Sequence, residues 1–335
     1  MGNTEMDIEK RRKIAAILRV LANSDNPLGR SAISSRLAEM GVNLRERMVR
    51  NYLELTDEQG LTKNLGRRGR VLTELGSKEL DVGIAVDKVG FVNSRIDELS
   101  YKMTFDDRKL TGNIILNVSL IETWHERRTL EDIARVIRAG YGMGQHLLIG
   151  YSGQTVQGMT VPNGHMAVGT ICSVTLNGVL LRHGVPMISR FGGLLDIVDR
   201  TPVRFSQIIN YDGSTIDPLE IFIKSKMTSV NKAAATGTGS IGVSFREISI
   251  AALPAAKAVI DTLVTAGLAS VIMIGKPNQP LLDIPVSTGR VGVIVAAGLN
   301  PIAAIEEAGL STTNRAMHTL CELGQLQRIE NITGI

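Results

Sequence analysis

The chain has 335 residues, room for about two domains, and its 44% hydrophobic and 21% charged content excludes a disordered protein. Two cysteines, Cys172 and Cys321, exclude a disulfide framework and point to a reducing compartment. A charged N-terminus and short apolar runs predict a cytoplasmic protein with no signal peptide and no membrane span. The net charge of +4 sits entirely in residues 1–80, which hold 15 Lys and Arg against 11 Asp and Glu; residues 81–335 hold 22 of each. That asymmetry predicts a small basic module followed by a neutral one.

Within the basic module, Glu9 to Asn23 reads as an amphipathic helix with Ile14, Ile17, Leu18 and Leu21 on one face. Asn26-Pro27 breaks it. Ser31 is placed to cap a second helix, with Ile33, Leu37 and Met40 inward and Gly41 at its end. A third helix opens at Leu44 and stops at Gly60, with Met48, Val49, Tyr52, Leu53 and Leu55 inward and Arg45, Arg47, Arg50 and Asn51 outward. Two short strands, Leu61–Leu65 and Arg70–Leu75, then flank the turn Gly66-Arg67-Arg68-Gly69.

Three helices and a hairpin with arginines at its tip are the order of a winged helix-turn-helix. Arg and Asn on the third helix suit base edges in the major groove, and Arg67, Arg68 and Arg70 suit phosphate. The alternative is that these arginines form a solvated face on a module that contacts protein.

Residues 81–335 carry an internal repeat at an offset of about 125 residues. Val118-Ser119-Leu120 matches Val243-Ser244-Phe245, and each leads to a helical segment, Leu130–Ala139 or Ala255–Ala266, that closes in Ala-Gly. Leu148-Ile149-Gly150 then matches Met273-Ile274-Gly275, and Val161-Pro162 matches Ile284-Pro285. Finally, Gly169-Thr170-Ile171 through Leu176-Asn177 matches Gly292-Val293-Ile294 through Leu299-Asn300. The repeats, about 113–185 and 239–310, each read strand, helix, strand, loop, strand, helix, with strand-like segments Ile188–Ile197 and Arg204–Met227 between them. The expected fold is α/β, α+β overall, with a pseudo-twofold arrangement.

A cleft between two such halves is a natural small-molecule site. Thr170, Cys172, Ser173 and Asn177 fall where a strand meets a helix, whose first amides attract anions. Arg190, beside Gly192-Gly193, and Arg246 offer cations, and Asn300 mirrors Asn177 in the second repeat. For either arginine the alternative is a structural ion pair, and for Cys172 a small buried hydrophobe.

The glycine spacing of Thr236–Gly242 precedes a strand instead of opening a helix, so it is no dinucleotide fingerprint. No phosphate loop, nucleophile elbow, HExxH or CxxC occurs, so no cofactor and no metal site is expected and a catalytic site has no motif behind it. An enzyme of duplicated α/β type, with the winged helix as an interaction module, is the alternative from another functional class.

The segments Gly169-Thr170-Ile171-Cys172-Ser173-Val174-Thr175-Leu176-Asn177-Gly178-Val179-Leu180-Leu181, Ser189-Arg190-Phe191-Gly192-Gly193-Leu194-Leu195 and Ser244-Phe245-Arg246-Glu247-Ile248, behind a winged helix, carry a resemblance. The chain is similar over essentially its whole length to the NrpR family, the nitrogen-regulatory repressors of methanogenic archaea. The resemblance implies a repressor of nitrogen-fixation and nitrogen-assimilation genes that binds inverted-repeat operator DNA as a homodimer, or a higher even oligomer, and is released by 2-oxoglutarate. Some members carry two tandem regulatory domains; with room for one here, the resemblance leaves open a second chain that supplies more. A regulator of the same build answering to another small anion is the near alternative.

Overall fold

The computed structural model describes residues 13–22, 24, 26–39, 42, 44–77, 91–123 and 126–333, which fall in two units, Met1–Gly90 and Phe91–Ile335. Positions 9–12 of the first expected helix, Met40, Gly41 and the expected boundary at 80/81 lie outside the described residues.

In the first unit, helix α1 (13–22) packs Ile17, Val20 and Leu21 against α2 (Arg30–Glu39), which buries Ile33 and Leu37. Ser31 lies inside α2 and does not cap it. Its hydroxyl donates to Glu46 Oε1 at 3.0 Å, while Ser34 donates to the Leu44 carbonyl at 3.1 Å, so both serines fix the turn into α3 (Glu46–Glu58). Helix α3 buries Val49, Leu53 and Thr56 on one stripe. Met48, expected inward, is 39% exposed, because it sits about 100° around the helix from Val49.

Strands β1 (Thr62–Asn64) and β2 (Arg70–Leu72) pair antiparallel around a 3-10 turn at Gly66–Arg68. Leu28 adds a third rung by exchanging hydrogen bonds with Arg70 at 3.0 and 2.9 Å. Gly69 (φ 103°) passes so close to Leu28 that a Cβ would stand 2.6 Å from its carbonyl. Only glycine fits there.

The second unit runs α4 (Val92–Lys102), β3 (Asn113–Glu122), α5 (Glu126–Arg138), β4 (His146–Tyr151), the short pair β5 (Thr155–Val156) and β6 (Met159–Thr160), β7 (His165–Ile171) and α6 (Val174–Arg182). Then come β8 (Met187–Val198), β9 (Thr201–Asn210), α7 (Pro218–Lys224), α8 (Val230–Thr236), β10 (Gly239–Ser249), α9 (Leu253–Thr265) and β11 (Val271–Ile274). The last are β12 (Arg290–Ala296), α10 (Asn300–Glu307), β13 (Thr312–Glu322), β14 (Gln327–Arg328) and α11 (Ile329–Thr333). The expected strand-like run Arg204–Met227 is a strand only to Asn210. Asp217-Pro218 then starts α7, with the Asp217 carboxylate accepting from the Leu219 amide at 2.8 Å.

Two five-stranded sheets result, in the orders β13-β3-β7-β4-β14 and β11-β12-β10-β8-β9, with every pair antiparallel. The repeat order holds, but each repeat gives its last strand away: β8 pairs with β10 of the second repeat, and β13 pairs with β3 of the first.

The ladders also correct the sequence register. Leu116 faces Ile171 where Val243 faces Ala296, and the Cys172 amide bonds the Ile115 carbonyl where the Ala297 amide bonds Gly242. Val118 therefore corresponds to Phe245, and Gly169 to Ile294. A slip of two keeps the same residues facing inward, so side-chain alternation cannot detect it.

The inner strands are buried on both faces, while the edge strand β9 leaves Val203 and Ile208 exposed. Val291, Val293 and Val295 join one core with α4, α6 and α9, and Ile294 joins the other with α5, α7, α8 and α10. The seam between repeats is aromatic: Phe191 of β8 stacks on Phe245 of β10 at 5.0 Å, and Phe205 of β9 meets Phe191 edge-on at 5.3 Å. Gly193 leaves room for Phe205, since a Cβ would lie 2.9 Å from its ring, and Gly192 leaves room for Pro218. These glycines serve packing rather than the approach of a ligand. Phe245→Ala should destabilise the fold by about 3–5 kcal/mol. Urea unfolding checks this, and a loss below about 1 kcal/mol would show that the stack does not hold the repeats together.

Candidate functional site

Of the expected nucleic-acid contacts, Arg45, Arg47, Arg50 and Asn51 are exposed at the start and on the outer face of α3, and Arg67 and Arg68 are exposed at the wing tip. Arg50 donates to Glu54 Oε1 at 2.8 Å, an exposed pair of the kind worth little in water, so a ligand can claim the guanidinium at small cost. Arg70 is placed differently. Its Nε donates to Asp57 Oδ2 at 2.9 Å with both side chains largely covered. Thr62 donates to the other Asp57 oxygen at 2.6 Å, and the Thr62 hydroxyl lies 2.8 Å from that of Thr56. This chain of contacts fastens the wing to the end of α3.

In the second unit, a small cavity of about 20 Å³ lies where the two repeats meet. By the register above, Asn117 and Ser244 are equivalent, as are Cys172 and Ala297, Ser173 and Gly298, and Val174 and Leu299; all eight line it. The cavity therefore sits on the pseudo-twofold axis, between the first turns of α6 and α10. A Cβ on Gly298 would stand 2.0 Å from the Ile171 carbonyl, so glycine is required at that approach.

The walls are polar on one side. Tyr211 Oη lies 2.7 Å from Ser244 Oγ, which lies 3.5 Å from Ser173 Oγ. Arg246, fully buried, donates to Ser173 Oγ and to the Ser173 carbonyl at 2.7 Å each, and also to Asn177 Oδ1. Asn177 in turn donates to Ser189 at 3.1 Å. Among the described residues Arg246 has no carboxylate partner, and its Nε has no partner at all. Burial lowers its pKa, yet a guanidinium stays charged. The equivalent Ser119 is buried with its hydroxyl likewise unpaired.

Asp217 faces the same cavity, half-buried, and burial pushes its carboxyl up to about 7. Burial likewise pushes the Cys172 thiol up to about 12, the behaviour of an unreactive cysteine.

Of the seven expected ligand groups, Cys172 and Ser173 reach the cavity directly, with Arg246 and Asn177 directly behind them. Thr170 stands one step away and accepts from Asn117 Nδ2 at 3.2 Å. Arg190 stands apart. The β8–β10 ladder skips it, a bulge that turns it outward to Glu247 at 2.8 Å and Ser287 at 3.0 Å, so it forms the structural ion pair. Asn300 is fully engaged: it accepts from the Gly242 amide at 2.9 Å and donates to the Gly242 and Tyr141 carbonyls at 2.8 and 2.7 Å. Its counterpart is Thr175, which bonds the Ile115 amide and carbonyl at 3.1 and 3.2 Å, and not Asn177. Asn117, Tyr211, Asp217 and Gly298 are cavity residues that the sequence did not point to, while Ser244 belongs to the segment Ser244–Glu247 that it offered as a wall. Asp217 and Tyr211 come from the connection between repeats, where no repeat signal points. Among the described residues no cluster of side chains suits a metal, and no helix is long and apolar enough to cross a membrane.

A winged helix followed by a duplicated α/β domain is the build of a transcription regulator. Residues 89–328 match the family described as NrpR regulatory domains NRD1 and 2, and residues 15–80 match the Ribonuclease R winged-helix domain. The chain belongs to the NrpR family of nitrogen regulators. It is 34% identical to the global nitrogen regulator NrpRI of Methanosarcina mazei, over 97% of this chain and 100% of that one. It is 29% identical to the global nitrogen regulator NrpR of Methanococcus maripaludis, over 93% of this chain but 54% of the relative's length. A crystal structure of a nitrogen repressor-like protein from Methanococcus jannaschii superposes with a TM-score of 0.61 at 26% identity, covering 72% of this chain and 99% of that one.

Asp217 gives this cavity a pH signature. An unfolded aspartate titrates near 4, whereas the folded one is held at about 7. The folded state thus binds the proton more tightly, and the resulting stability is fully present below about pH 4 and is lost as the pH rises to about 7. Asp217→Asn keeps the cap on α7 and should flatten this decline, exceeding the native chain at pH 8 by about 1–2 kcal/mol, the full shift discounted for remaining exposure. Urea midpoints from pH 4 to 8 check this; parallel curves for the two proteins would remove Asp217 as the titrating group.

Proposed function

We propose that this chain is a transcriptional repressor of nitrogen-fixation and nitrogen-assimilation genes that binds an inverted-repeat operator as a homodimer and is released by 2-oxoglutarate. The observation that carries the reading is Arg246, a buried guanidinium held by the neutral acceptors of Ser173 and Asn177, with no direct ion pair among the described residues, behind the polar wall of the cavity on the pseudo-dyad. Such a cation costs several kcal/mol to bury unless an anion joins it. The hydroxyls of Ser173, Ser244 and Tyr211 line the space beside it. Asp217 opposes an anion only when ionised, and its raised pKa makes the neutral acid available near neutrality.

The cavity of about 20 Å³ holds no more than a water-sized group, whereas a ligand site needs roughly 300 Å³ or more. The effector must therefore part the walls, and the walls belong to different repeats. An effector that binds only the parted form shifts the equilibrium by its differential affinity, typically about 1–3 kcal/mol. In a dimer whose α3 helices occupy successive major grooves about 34 Å apart, a change of that spacing releases the DNA. The longer relatives favour a second chain carrying further regulatory domains as an additional partner.

Fluorescence anisotropy on a promoter-derived inverted repeat, titrated with 2-oxoglutarate at fixed salt, tests the whole reading. Release by 2-oxoglutarate but not by glutarate or succinate is expected. Binding that no effector reverses would leave the repressor and discard the ligand, or point to the partner chain; no specific binding would discard the repressor. Arg246→Gln should abolish release while leaving operator affinity within about twofold, a difference near 0.4 kcal/mol.

On the DNA side, Arg47→Ala or Arg50→Ala should cost about 1–3 kcal/mol of specific affinity and relax discrimination at one operator position. Replacing Arg67 and Arg68 together should weaken all sequences alike and flatten the dependence of affinity on salt. An unaltered salt slope would remove the wing tip from the phosphate contacts.

A further inference from the structure

A second, larger cleft of about 570 Å³ opens on the far side of Tyr141, between α5, α8 and the β8–β9 turn. Three guanidiniums line it, those of Arg135, Arg138 and Arg200, against one carboxylate, Glu131. Glu131 is itself engaged by Arg127 at 3.1 Å. The floor is apolar, formed by the buried Tyr141 and Ala233 with neighbouring alanines. None of these residues belongs to the cavity on the pseudo-dyad.

Arg135 is held in place by specific contacts and Arg200 by its backbone. Arg135 donates to Asp132 Oδ1 at 2.7 Å and across the cleft to Asn231 Oδ1 at 2.8 Å, joining α5 to α8. Arg138 lies one turn further along α5, three residues on, so the two share a face. Arg200 is the second residue of a two-residue hairpin turn, Asp199-Arg200, with φ of 49° and 64°. Such a turn favours glycine at its second position, and a long side chain there is strained backbone of the kind retained at functional sites. The Arg200 amide donates to the Gly237 carbonyl at 2.8 Å, and its stem lies so close to Gly237, the left-handed cap of α8, that a Cβ there would stand 2.8 Å from Arg200 Cγ. Arg200 and Tyr141 line the same cleft, and the charge of Arg200 opposes the burial that raises the Tyr141 hydroxyl.

We propose that this three-arginine cleft is a second ligand site of the regulatory domain, for a small molecule bearing two or more adjacent negative charges, phosphoryl or carboxylate. The volume suits a metabolite of nucleotide or tricarboxylate size, and guanidiniums recognise both groups through paired N–H donors. Both walls are tied to α10: Asn300 holds the Tyr141 carbonyl, and Glu307 accepts from the Val230 and Asn231 amides at 2.8 Å each. The site is distinct from the proposed effector cavity and does not depend on it.

Isothermal titration of the full chain at matched ionic strength with pyrophosphate, ATP and citrate tests the site. Saturable binding of at least one of them, near one per chain, is expected, with acetate inert. A phosphoryl ligand is indicated if pyrophosphate or ATP binds and citrate does not, and a carboxylate ligand by the reverse. Arg138→Gln and Arg200→Gly should each weaken that binding at least tenfold, and Arg200→Gly, which relieves the turn, should melt no lower than the native chain. Failure of all three probes to bind, or unchanged affinity in both variants, overturns the proposal. Release of operator by 2-oxoglutarate, followed in the same two variants, reports separately on the cavity at the pseudo-dyad.

Discussion

The exchange of last strands between the two repeats is the constraint on which the regulatory unit depends. β8 completes the sheet begun by β10, and β13 completes the sheet begun by β3, so neither repeat can close its own sheet. The exchange also brings the start of α6 and the start of α10 to the same place, because each follows the equivalent strand of its own repeat, β7 beside β3 and β12 beside β10. Cys172 docks on Ile115 and Ala297 on Gly242 through the same backbone bond. Thr175 and Asn300 repeat the pattern with side chains. A cavity on the axis is thus a consequence of the topology and not an addition to it.

What differs between the repeats gives the cavity its chemistry. Where the first repeat has Ser119, the second has Arg246; where the second has Gly298, the first has Ser173. The lining is therefore unequal: Arg246 stands behind Ser173 on one side, and Asp217 is the charged residue of the wall itself. A buried guanidinium is costly. Ser173 and Asn177 supply neutral acceptors in place of a counter-ion, which lowers the desolvation penalty without removing it. That imbalance is what an anion between the walls would relieve.

The winged-helix order and the strand and helix order of the repeats were legible in the chain, because apolar spacing, Gly-bounded helices and matched segments report local structure. Register was not, since a two-residue slip between β3 and β10 leaves every face unchanged. Partnership was not legible either. Arg70 and Arg67 look alike as basic residues of a hairpin, but only Arg70 has Asp57 opposite it. Arg190 and Arg246 look alike as single arginines in quoted motifs, and a bulge separates them, turning one to Glu247 and burying the other. Asp217 and Tyr211 lie in the connection between repeats and reach the axis only through the tertiary fold.

Those partnerships divide the basic residues of the first unit by role. The Asp57 carboxylate accepts from Thr62 on β1 and Arg70 on β2, so the end of α3 and both wing strands meet at one group. A wing fastened in this way moves with α3, so that on the proposed operator Arg67 and Arg68 would meet a backbone position set by where α3 lies. Phosphate contacts carry no sequence information of their own, yet a wing with a fixed relation to the reading helix penalises any docking in which α3 is out of register. Arg70, paired with Asp57, would in this way act on the proposed operator contacts through the wing it positions.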